Sequence, residues 1–178
     1  MSAEPRFDLA ARCLHWITAA VLIAVVIPAG IWIHYFEPAD QAFKMRLYNL
    51  HESFGVCMFV LALLRLWNRS RSPAPPLPGD LPGTIRLAAH TTQICLYALL
   101  VLMPITGFLA TNAWGFPLKM FDVIPLPSPI GKDEALAKTL SLLHWIGAVA
   151  IVLFIAAHVG GALYHQFIRR DGILRRML

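Results

Sequence analysis

The sequence predicts an all-α integral membrane protein, a bundle of four transmembrane helices, and three observations carry that expectation. Composition is 58% hydrophobic and 14% charged, with a mean hydropathy of +0.63. Soluble domains are about 45–50% apolar and about 25% charged. Four apolar runs are each long enough for a bilayer crossing, which takes about 20 residues. Finally, these runs carry histidines, and an ionisable group inside a membrane span is costly and usually functional.

The 178 residues suit one domain, here a single four-helix transmembrane domain over 1–178. Residues 1–10 are a short polar leader. The first span covers about 10–35; it is too long for a signal-peptide core, lacks a clear A-x-A site and is expected to be retained. Its Pro28 and Gly30 are tolerable in a membrane helix. A short loop over 36–47 contains Glu37, Pro38 and Asp40, and the second span covers about 47–67. Residues 72–83, SPAPPLPGDLPG, hold five prolines and two glycines, which excludes regular structure. The third span covers about 85–113, with Pro104 and Gly107 inside it; a longer loop over 114–138 has four prolines. The fourth span covers about 140–168 and ends in the basic tail RRDGILRRML.

Four spans place both termini on one side. That side holds Arg6, Arg12, Arg65, Arg69, Arg71, Arg86, Arg169, Arg170, Arg175 and Arg176. The opposite loops hold Lys44, Arg46, Lys119, Lys132 and Lys138 against six acids. The bias puts both termini in the cytoplasm and explains the net charge of +5 without a nucleic-acid partner. Cys13, Cys57 and Cys95 are odd in number and far apart, which argues against a disulfide framework, and no C-x-x-C-H signals covalent haem attachment. Trp16, Trp67 and Trp145 suit the membrane interface.

The fourth span carries His144, His158 and His165, separated by fourteen and seven residues. At about 100° per residue, fourteen residues fall within about 40° of whole turns and seven within about 20°, so the three share a stripe. His144 and His158 lie about 21 Å apart along the axis. The topology gives each remaining histidine a depth: His51 and His34 lie at the outer level, His15 at the inner level, and His90 and His165 at the inner interface. His51 therefore matches His144, and His15 matches His158 if the first and fourth helices are neighbours. Two histidines from facing helices with a flat group between them is the arrangement of a b-type haem, and bundles build such sites from facing helices. Gly55, Gly147, Gly160 and Gly161 lie near these positions and would let a macrocycle approach the backbone. A lone histidine of this kind is an ordinary interhelical hydrogen-bonding group, and such glycines are ordinary close-packing residues. Zinc is the rival ligand, but it wants three or four donors at one depth and the sequence offers pairs.

Several stretches resemble one known family: R-C-L-H-W at 12–16, N-L-H-E-S-F-G at 49–55, L-L-R-L at 63–66, H-T-T-Q-I-C-L-Y-A-L-L-V-L-M-P-I-T-G at 90–107, L-H-W-I-G-A at 143–148 and A-A-H-V-G-G-A-L-Y-H at 156–165. Their order and spacing are similar to the bacterial di-haem cytochrome b561 family, in the form that acts as superoxide oxidase. The resemblance implies four helices in the bacterial inner membrane and two non-covalent b haems, the outer held by His51 and His144 and the inner by His15 and His158. It also implies an electron path from superoxide to ubiquinone; His165, one step further inward on the stripe, and His90 at a similar depth are then the candidate proton donors to a quinone carbonyl. Those two histidines, like Arg86 and Arg169, serve a haem propionate equally well. The related cytochrome b subunits of dehydrogenases and hydrogenases keep a second class open, an anchor subunit that links a redox partner protein to quinone. A haem-free structural or transport protein is the third.

Overall fold

A computed structural model describes residues 6–36 and 40–178; Glu37 and Pro38 of the first expected loop lie outside the described residues. Four helices are long and apolar enough to cross a membrane: α1 (Leu9–Tyr35), α2 (Gln41–Arg71), α3 (Gly83–Trp114) and α4 (Glu134–Arg169). The expected spans fall inside these helices, which extend further into the polar flanks. The reason is capping: Asp40 accepts from the amide of Ala42 at 2.9 Å and Asp133 from that of Leu136 at 3.0 Å. A carboxylate that satisfies an orphan amide starts the helix well before the apolar run. The loop expected over 36–47 is therefore helical from Gln41, and that over 114–138 from Glu134. The same loop also holds a short antiparallel hairpin, β1 (Lys119–Met120) with β2 (Ile124–Pro125).

Backbones pack in chain order, α1 on α2, α2 on α3 and, most extensively, α3 on α4. Met58, Ala62, Leu100 and Ile151 form the buried core, with Val21, Leu22, Val26, Leu96 and Ile155 packed around it. This layer comes from the middle of all four helices. Large side chains such as Ile94, Leu142 and Leu153 are more than half exposed, as expected where lipid rather than protein covers the apolar surface.

Two of the helices depart from α-helical geometry close to histidines. Residues Leu22–Val26 of α1 form a π-helical segment just before Pro28. Proline cannot continue the ladder of amide donors, and π-bulges recur where a helix is reshaped for a site. The last turn of α4, Tyr164–Arg169, is also π-helical and ends on Arg170 in the left-handed region. From there the tail turns back as a 3₁₀ helix over Ile173–Met177 and docks on α1. Trp16 Nε1 donates to the Met177 carbonyl at 2.9 Å, Phe7 N to the Arg176 carbonyl at 3.1 Å, and Arg12 to the Leu178 carbonyl. The tail is thus tied down rather than free, and Arg12 and Arg176 are structural as well as basic. Cys13, Cys57 and Cys95 are free thiols.

Candidate functional site

The structure brings together both histidine pairs expected from depth. His51 and His144 lie with ring centroids 6.0 Å apart, and His15 and His158 with centroids 6.1 Å apart. Facing imidazoles with ring centres about 6 Å apart would leave room for one metal ion between them at about 2.0–2.1 Å per bond. The observed spacing fits that requirement at both levels. Each pair joins helices that are not consecutive in the packing order: α2 with α4 at the end away from the termini, expected to be the outer one, and α1 with α4 at the end near the termini. The apolar core layer lies between the pairs.

The outer pair is seated by backbone. His51 Nδ1 donates to the Val26 carbonyl at 2.9 Å, and Val26 closes the π segment of α1. His144 Nδ1 donates to the Met103 carbonyl at 3.1 Å, with the Thr106 hydroxyl 3.3 Å away. A carbonyl only accepts, so Nδ1 carries the proton in both rings and Nε2 keeps its lone pair for a ligand. Two glycines make room. A Cβ on Gly30 would lie 3.1 Å from His51 Cε1, and a Cβ on Gly107 would lie 2.9 Å from His144 Cε1. In the sequence alone Gly30 and Gly107 read only as tolerated helix breakers, and these clearances are not visible there. Of the other glycines near the histidines, Gly147 packs on the sulfur of Met103, while a Cβ on Gly55, Gly160 or Gly161 would meet no protein atom within 4 Å. The latter three leave open space beside His51 and His158, which suits a planar group.

The inner pair has a different neighbour. Arg65 Nη2 lies 3.3 Å from His15 Nδ1 and its guanidinium sits 5.3 Å over the Tyr97 ring. Guanidinium only donates, so in this arrangement His15 Nδ1 accepts and Nε2 carries the proton. The inner pair is therefore poised differently from the outer one. Arg65, counted in the sequence only toward topology, is the cation beside the site. With Asn68, Arg69 and Tyr97 it lines a small cavity of about 30 Å³. Arg86 and Arg169 are occupied elsewhere: Arg86 bonds the Pro78 carbonyl at 3.2 Å, and Arg169 bonds Asp80 at 2.7 Å and Asp171 at 3.0 Å.

His165 forms no third imidazole pair among the described residues. It is buried, and its Nδ1 donates to Asp171 Oδ2 at 2.7 Å. Its partner is this tail carboxylate and not His90, which is exposed. The π segment and the left-handed Arg170 and Gly172 turn the chain so that Asp171 reaches back to the helix. Burial pushes the Asp171 carboxyl up, but the bonds from His165 and Arg169 outweigh it and hold the group below its ordinary value. His34 stays at the exposed outer end of α1, 6.5 Å from Trp145 between ring centroids. No group of three or more His, Cys, Asp and Glu that could hold a metal ion occurs among the described residues.

At the end away from the termini the hairpin folds over the start of α2. Phe121 N donates to Ser53 Oγ at 2.7 Å, and Asn49 Nδ2 donates to the Lys119 carbonyl at 2.7 Å and to Asp122 at 3.0 Å. Phe121 and Asp122 hold positive φ, 52° and 59°, a strain that these bonds offset. Glu52 accepts from the Thr111 hydroxyl at 2.7 Å, one residue from His51.

Comparison with known proteins adds an independent line. The family model described as prokaryotic cytochrome b561 matches residues 6–178. The chain is 31% identical over 174 residues to cytochrome b561 homolog 2 of Escherichia coli K12, which covers 97% of the chain and 91% of that protein. It is 28% identical over 175 residues to cytochrome b561 homolog 1 of the same organism, with 97% of each covered. It is also 28% identical over 166 residues to the probable superoxide oxidase CybB of Yersinia pestis, covering 93% of the chain and 91% of that protein.

Proposed function

Because the chain belongs to the prokaryotic cytochrome b561 family, a family of membrane electron-transfer proteins with b-type haem, we propose that it holds two b haems and carries electrons from superoxide to ubiquinone. His51 and His144 would hold the outer haem, His15 and His158 the inner. The observation that carries this reading is the pair of imidazole–imidazole spacings, 6.0 and 6.1 Å, at two depths of one helix. The haems would supply the one-electron chemistry, and the protein sets orientation and electrostatics.

The chain's own groups have definite tasks. The carbonyls of Val26 and Met103 fix the tautomer of the outer ligands and raise their basicity. At the inner level, ligation through His15 Nε2 needs that lone pair, so Arg65 must release Nδ1; the carboxylate side chains of the inner haem are the acceptor it would turn to. His165, with Nδ1–H committed to Asp171, has the Nε2 lone pair left, which would first take a proton from the aqueous side and then hand it to a quinone carbonyl. His90, exposed at the same end, is the second candidate. On the outer side Lys119 and Lys132 would draw in the superoxide anion, while Lys138 is already paired with Glu134 at 2.8 Å.

The kinship with a protein named probable superoxide oxidase favours this donor over a partner dehydrogenase. Stopped-flow mixing of the oxidised protein with superoxide, with and without quinone, is the test. Haem reduction within milliseconds, followed by reoxidation only when quinone is present, is expected. No reduction by superoxide moves the assignment to an anchor subunit served by a redox partner protein. A difference spectrum with one haem per chain, or none, removes the di-haem basis.

A further inference from the structure

We propose that the turn after α4 is a binding site for the phosphate of an anionic phospholipid, in the leaflet on the side of the termini. A cavity of about 390 Å³ opens there, lined by Gln166, Phe167, Arg170, Gly172 and Arg175. Two of its five lining residues are cationic and none is acidic. Asp171, the carboxylate between them in sequence, is turned away and bonded to His165 and Arg169. The Arg175 guanidinium makes no hydrogen bond or ion pair among the described residues, and Arg170 commits only Nε, to the Phe167 carbonyl at 3.3 Å. Arg170 itself is held at φ 57° by its amide bond to the His165 carbonyl at 2.7 Å. A side-chain-bearing residue rarely adopts that conformation, and here it directs the chain so that Arg170 and Arg175 flank one opening.

The depth fits a headgroup. The helix α4 has 36 residues, about 54 Å at 1.5 Å per residue. That is enough to cross the about 40–45 Å of a bilayer with its headgroups, and the apolar run ends beside Arg169 and Arg170, which sets the last turn at the headgroup level. Phe167 and Ile168 on that turn are 66% and 71% exposed, and acyl chains of a lipid seated in the cavity would cover them. A free phosphate would satisfy the arginines and leave this apolar surface bare, which is why the lipid is the better occupant. Basic pockets at this level are a recurrent way to hold anionic headgroups.

The test uses the detergent-solubilised haem-loaded protein, titrated with short-chain phosphatidylglycerol, with phosphatidylcholine or with inorganic phosphate. Bound lipid is counted by native mass spectrometry and the unfolding temperature is followed. Phosphatidylglycerol is expected to bind and raise the unfolding temperature, with the other two inert. Arg170→Asn with Arg175→Gln should weaken its apparent affinity about 30-fold, from about fivefold per arginine. Asparagine tolerates the left-handed conformation, and an unaltered haem spectrum identifies a folded variant; Arg175→Gln alone, about fivefold weaker, serves if the double variant does not fold. Equal response to phosphatidylcholine, or affinity unchanged in the variants, overturns the site. A shift with inorganic phosphate equal to that with phosphatidylglycerol overturns the lipid as its occupant.

Discussion

Replacing Gly107 with alanine should expel the outer haem and leave the inner one. The new Cβ would lie 2.9 Å from His144 Cε1 and 3.1 Å from its Nδ1. Carbon atoms in contact sit at about 3.5–4.0 Å, so the ring must retreat by about 0.6–1.1 Å. It cannot do so and keep its 3.1 Å bond to the Met103 carbonyl, because such bonds weaken beyond about 3.2 Å. Overpacking of this kind costs about 1–3 kcal/mol, and the lost bond about 0.5–1.5 kcal/mol. The sum, about 1.5–4.5 kcal/mol, corresponds to roughly 10- to 1,600-fold weaker retention at about 1.4 kcal/mol per tenfold. Haem per chain, measured after purification as the pyridine complex, should fall from two toward one, and the low-temperature difference spectrum should lose one component. Gly131→Ala, whose Cβ would meet nothing within 4 Å, is the control. Two full haems and an unchanged spectrum in Gly107→Ala would refute the claim that His144 is held where the structure places it.

His158→Ala should remove the inner haem and spare the outer, and His51→Ala the reverse; loss of both haems from a folded variant would sink the idea of two independent pairs. Asp171 gives a pH dependence. Its folded-state carboxyl is held below the ordinary value, so its stabilisation is present above about pH 4, the unfolded value, and disappears as pH falls through the folded value. Asp171→Asn should therefore unfold at lower temperature at pH 7 and converge with the parent in acid, as followed by thermal unfolding in detergent; parallel curves would contradict the linkage. The rate of haem reduction by superoxide should fall as ionic strength rises, since the attraction is screened over about 8–10 Å. A rate indifferent to salt would remove steering by Lys119 and Lys132.

How far the sequence can be read depends on which physical signals are periodic. The four spans and the two pairs are legible because apolar length, charge bias and depth along a helix of fixed rise are one-dimensional quantities. The roles of Gly30, Gly107, Val26 and Met103 are not. They depend on which side chain of another helix faces a given position, and sequence spacing does not give that. Asp171 is hidden for a related reason: a π turn and two left-handed residues bring it back to His165, whereas α-helical spacing places His165 with His144 and His158 instead. Arg65 is visible as a charge but not as a neighbour of His15. The helices begin about six residues before the expected spans, at Gln41 and at Glu134, because caps extend a helix beyond its apolar part.

The core layer decides what can cross the bundle. Between the two imidazole levels the buried apolar side chains are Met58, Ala62, Leu100 and Ile151, ringed by Val21, Leu22, Val26, Leu61, Leu96, Leu99, Val101 and Ile155, and the buried Thr18 hydroxyl beside them is committed to the Leu14 carbonyl at 2.6 Å. None of the apolar members titrates, and together they offer water no chain of hydrogen-bond donors. Electrons can pass through such a layer between two cofactors, whereas protons cannot without a chain of donors. A quinone reduced at the inner level must then take its protons from the side where it sits, which is the side of His165, Asp171 and His90. With the termini in the cytoplasm, as the charge bias predicts, the proposed path would carry electrons inward against a membrane potential that is negative inside, at about 2.3 kcal/mol per charge for each 100 mV. Under the proposed function, the separation of the histidine pairs by an apolar layer would therefore couple turnover to the membrane potential, and His165 would mark the compartment that supplies the protons.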